Sequence, residues 1–156
     1  MRRVRKNRTE HILYQIYTFN TSAKSVTGDE GTWRNTSNGA GLDDAITALS
    51  RAVPQKGTSL INAFDAMSKF DSPPDNLFLI TDGLPTQGRK SPSGGTVSNR
   101  ERIQHYQDAA ATLLPRRIPV NILLFPMEGD PVAASSFWQL ALSTNGSFMS
   151  PSKDWP

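Results

Sequence analysis

At 156 residues, with 37% hydrophobic and 20% charged side chains, the chain is long enough for one domain with one substantial core. Apolar runs such as Ile12-Leu13-Tyr14 and Ile122-Leu123-Leu124-Phe125 are far too short to span a bilayer, and no signal-peptide pattern follows Met1. Cysteine is absent, which excludes disulfides, thiolate metal sites and thiol nucleophiles.

The net charge of +3 is unevenly spread. Arg2, Arg3, Arg5, Lys6 and Arg8 supply five positive charges, and the remainder carries twelve basic against fourteen acidic side chains. Residues 1–10 therefore read as a basic N-terminal arm or the end of a truncated helix, and residues 11–156 as the domain. Nucleic acid is not the expected partner, because no aromatic interleaving or RNA-binding motif accompanies the basic run.

Residues 12–19 (ILYQIYTF) are rich in β-branched and aromatic side chains and predict a buried strand. Residues 23–26 and 31–34 predict a hairpin across 27–30, or one edge strand and a loop. A polar loop over 35–41 leads to a helix on which Leu42, Ala45, Ile46, Leu49 and Val53 share one side, stopped by Pro54. A second helix starts near Thr58, with Ile61, Phe64, Met67 and Phe70 on its buried side, and residues 72–75 end it.

Residues 76–81 (NLFLIT) are nearly continuous in apolar character, as expected of a strand covered on both faces. The glycine- and proline-containing segment 84–97 predicts a long loop. Ser98 with Glu101 forms a capping-box pattern that opens a helix running through Leu114. A strand over 120–125 follows Pro119. Asp130-Pro131 opens a helix carrying Phe137, Trp138, Leu140 and Ala141, closed by Asn145-Gly146 before a short strand at 147–149.

This alternation of strands and helices predicts an α/β fold: a Rossmann-like, doubly wound, mainly parallel sheet with helices on both faces. Ligands in such folds gather at the carboxyl ends of the strands. Two places there carry chemistry. In Gly57-Thr58-Ser59-Leu60 a hydroxyl residue stands at a helix start, and in Leu79-Ile80-Thr81-Asp82-Gly83 a carboxylate ends an apolar strand. Each has a plainer reading: Thr58 as a helix cap, and Asp82-Gly83 as turn chemistry. Together, a hydroxyl and a carboxylate offer hard oxygen ligands suited to Mg²⁺ or Mn²⁺.

In this order, with a helix between them, these residues resemble a von Willebrand factor A (VWA) domain of bacterial type, over roughly residues 11–150. Thr58 resembles the threonine of the second loop of the family's metal-ion-dependent adhesion site, and Asp82 the aspartate of its third. The family's first loop, Asp-x-Ser-x-Ser after a central first strand, has no counterpart here; Asp71-Ser72 leads into prolines. The resemblance therefore implies an N-terminally truncated member whose central strand is missing and whose Met1 falls late in the family's first helix. Residues 12–19 and 77–81 then either pair directly or leave backbone groups without partners.

The function so implied is a non-enzymatic protein-interaction module. A divalent cation, held weakly or not at all by Thr58 and Asp82 alone, would bridge to a carboxylate of a protein partner, with loop 84–97 shaping partner choice. A second reading is a metal-assisted hydrolase or phosphoryl-transfer enzyme using Asp82 as nucleophile or ligand and Arg89 and Lys90 as its anion-binding cations. A third is an inactive fragment from a mis-called start. His11 and His105 lack ligand spacing, and Trp33, Trp138 and Trp155 read as packing residues.

Overall fold

A computed structural model describes residues 12–37, 39–53, 57–90, 94, 96–125 and 127–151. The basic arm at residues 1–10, the Pro54 stop and the packing of Trp155 fall outside them.

The expected strand at 12–19 is broken at Gln15-Ile16 into β1 (Leu13–Tyr14) and β2 (Tyr17–Phe19). β2 turns back through Asn20 into β3 (Ala23–Ser25), while β1 pairs antiparallel with β4 (Arg34–Asn35). The reason is local. The Asn20 side-chain carbonyl accepts the Ser22 N–H at 3.1 Å and closes an Asx-type turn, so the hairpin forms earlier than a turn at 27–30 would allow. Ile12 and Leu13 are exposed, contrary to the expectation of a buried strand.

Residues 27–30 are organised instead by the Asp29 carboxylate. It accepts hydrogen bonds from the Ser25 and Thr27 hydroxyls and pairs with the Arg34 guanidinium. Burial alone would raise the pKa of Asp29, but bonds from Thr27, Arg34 and its own backbone amide outweigh it and hold the group at about 2.

α1 (Gly39–Ser50) buries only Ala45; Leu42, Ile46, Leu49 and, just beyond its end, Val53 are exposed. α2 (Leu60–Ala66) continues into a 3₁₀ turn over Met67–Lys69. β5 (Leu77–Thr81), β6 (Val120–Leu124) and β7 (Phe148–Met149) form a parallel sheet in that order. α3 (Asn99–Leu113) lies between β5 and β6 in sequence, and α4 (Ala133–Ser143) between β6 and β7. The Ser98–Glu101 capping box opens α3. α4 ends with Asn145 in the left-handed region, φ 57°, and with the Gly146 N–H on the Ala141 carbonyl. Gly146 lies so close to the Val120 backbone that any Cβ there would collide with it.

The register places Leu77 beside Val120, Leu79 beside Ile122 and Thr81 beside Leu124, all on one face of the sheet. That face carries the core, where Leu79, Val120, Ile122 and Leu124 pack with buried side chains of α2, α3 and α4. Tyr106 of α3 meets Phe137 of α4 edge-on at 5.5 Å and donates its hydroxyl to the Ser136 carbonyl.

Residues 76–81 are therefore not covered on both faces. Phe78 is 75% and Ile80 62% exposed, and Trp138 is also exposed rather than packed. β5 is an edge strand as well, with β6 its neighbour and none on the other side among the described residues. Leu77 donates to Pro119 O, and Thr81 O accepts from Phe125, so in a parallel ladder the backbone groups of Phe78 and Ile80 face the open edge. Of the two outcomes open for residues 12–19 and 77–81, direct pairing does not occur.

Candidate functional site

Asp82 follows β5 directly, at the carboxyl end of the sheet, and its side chain is exposed. Its carbonyl accepts the Met127 N–H at 3.2 Å, which ties the turn to the segment leaving β6. Thr58 precedes α2 and is half-buried. It does not cap that helix. Ser59 is the N-cap, accepting the Asn62 N–H, and its fully buried hydroxyl donates to Gly88 O at 2.7 Å. Thr58 is thus released from the plainer role that the sequence allows it.

Main-chain bonds draw the two loops together. The Thr58 carbonyl accepts the N–H groups of Thr86 at 2.9 Å and Gln87 at 3.2 Å, and the Thr58 N–H donates to the Thr86 hydroxyl at 2.8 Å. The Ser59 N–H donates to Asn20 O at 2.6 Å, so the β2–β3 turn joins the same cluster. The loop carrying Thr58 is clasped to a segment that begins four residues after Asp82.

Beneath the Asp82-Gly83 turn lies an ion pair that sequence reasoning missed. Arg102 of α3 meets Asp130 at 2.6 Å, with side chains only 16% and 5% exposed. The Asp130 carboxylate also accepts the Leu84 N–H at 2.7 Å, and Arg102 donates to Leu84 O at 2.7 Å. Asp130 was legible as the opener of a helix. In the structure α4 begins at Ala133 with no side-chain cap, and the Asp130 side chain turns inward to Arg102. Position in the sequence alone does not separate a capping aspartate from one aimed at a distant arginine.

Of the two cations nominated for phosphoryl chemistry, Arg89 is occupied, since its guanidinium pairs with Asp65 of α2. Asp71 stands apart, its N–H on Gly31 O. His105 lies against Gly88. Among the described residues there is no cluster of three or more His, Asp or Glu able to hold a metal. Thr58 and Asp82 would offer a cation two of the six oxygens that Mg²⁺ takes, a donor set that fits a largely hydrated ion and does not fit a closed cage.

No family model and no curated protein matches the sequence. Among solved structures, the chain is similar to "von Willebrand factor type A from Catenulispora acidiphila", with a TM-score of 0.59 and 13% identity. The match covers 93% of this chain and 31% of that one. At such identity the likeness is one of fold, and the chain has a VWA-like α/β fold. No helix among the described residues is long and apolar enough to cross a membrane.

Proposed function

We propose that this chain is a non-enzymatic protein-interaction module of VWA type, in which a divalent cation at Thr58 and Asp82 bridges to a carboxylate of a protein partner. The observation that carries this reading is the clasp between Thr58 and Thr86-Gln87, which ties a hydroxyl-bearing loop to a carboxylate-bearing one. When bound, Mg²⁺ or Mn²⁺ supplies a positive charge and open coordination positions for the partner's oxygen. Thr58 would orient the ion through its hydroxyl and Asp82 through its carboxylate, directly or through water. The doubly wound form of the fold belongs to the same proposal.

Titrating Mg²⁺ or Mn²⁺ against thermal unfolding tests it. A cation that binds only the native state stabilises it by about 1.4 kcal/mol at ten times its dissociation constant. Asp82→Ala and Thr58→Ala should abolish or reduce the gain. No shift up to several millimolar in the unaltered protein would overturn the cation-bridged reading.

A further inference from the structure

We infer that the buried Arg102–Asp130 pair positions both candidate ligands, acting as one brace beneath Asp82 and, through Thr86, beneath Thr58. The inference deepens the proposed function and rests on it for the role of the ligands.

The geometry is specific. A Cβ at Gly83 would lie 2.6 Å from an Asp130 carboxylate oxygen and 3.2 Å from an Arg102 nitrogen, so the main chain after Asp82 rests directly on the pair. The next residue is held at both polar groups, its N–H by Asp130 and its carbonyl by Arg102. Leu84 and Pro85 are buried, and Thr86 then grips the Thr58 N–H and carbonyl. One ion pair thus fixes a continuous path from Asp82 to Thr58.

Burial argues that the pair is there for position. A desolvated ion pair is poor value as a source of stability compared with well-packed apolar side chains. This pair also leaves the Arg102 Nε buried without a hydrogen-bond partner. What it supplies is direction: a carboxylate and a guanidinium that together hold the two peptide groups flanking Leu84. Any Cβ at 83 would force the Asp130 carboxylate to shift from this position.

The test compares the unaltered protein with Asp130→Ala, Asp130→Asn and the paired Arg102→Met/Asp130→Leu exchange, which removes both charges together should either single change prevent folding. Amide exchange is read at residues 83–87 and in β6, and Mn²⁺ affinity by electron paramagnetic resonance. Asp130→Ala should speed exchange at Leu84, Thr86 and Gln87 at least tenfold, leave β6 unchanged and weaken Mn²⁺ binding about tenfold. Asp130→Asn, which keeps an oxygen for the Leu84 N–H, should recover part of both effects. Exchange at 83–87 within twofold of the unaltered protein, or loosening spread evenly through α3, α4 and β6, would overturn the brace. Absence of Mn²⁺ binding in the unaltered protein would instead defeat the cation reading, while the exchange data still decide the brace.

Discussion

The two faces of the parallel sheet carry similar side chains in very different surroundings. On one, Leu79, Val120, Ile122 and Leu124 are enclosed by α2, α3 and α4. On the other, Phe78 and Ile80, drawn from the same five-residue strand, stand in solvent. Apolar composition in β5 therefore does not report burial. Enclosure depends on which helices reach a face, and the three helices of the core cluster all reach the same one.

The contrast is broken most severely at Phe137, which is fully buried against Tyr106. Phe137→Ala should cost about 3–5 kcal/mol in chemical denaturation, whereas Phe78→Ala should stay within about 0.5 kcal/mol. Equal losses would show that the outer face is covered in solution. A smaller effect is expected at Thr144, whose buried hydroxyl accepts the Val120 N–H at 3.2 Å and donates to Leu140 O at 2.9 Å. Thr144→Val would strand that N–H in the core and should cost about 1–3 kcal/mol by the same measurement.

The antiparallel N-terminal segment, outside that sheet, should respond to acid instead. Asp29 titrates at about 2 in the folded chain against an ordinary value of 3.8. Because the folded-state pKa is lowered, its stabilising contribution is fully present above about pH 4 and is lost as pH falls through about 2. Unfolding curves collected down this range should show the loss, and Asp29→Asn should flatten that part of the profile. The smallest effect on stability is expected for Phe78→Thr with Ile80→Thr, within about 0.5 kcal/mol. The pair should nonetheless lower self-association in analytical ultracentrifugation, since an apolar open edge invites pairing with another chain.

What was legible in the sequence follows the range of the forces involved. The Ser98–Glu101 box and the Asn145-Gly146 stop depend on neighbours a few residues away, and the structure has both of them. The break at Gln15-Ile16 depends on which partners β1 and β2 find, and the exposure of Phe78 on which helices do not reach it. No pattern within those residues encodes either. At the candidate site, Thr58 and Asp82 are conspicuous by residue type. Arg102 and Asp130 are not, because 28 residues separate an arginine on a helix from an aspartate before a proline.

The hold on Thr58 has a practical corollary. Thr86 and Gln87 grip its peptide nitrogen and oxygen, contacts that every amino acid other than proline can reproduce. Replacing the threonine with serine, valine or alanine therefore varies the chemistry on offer without redrawing the scaffold that presents it. Position 58 is a place where a side chain's identity can be edited while its address is kept.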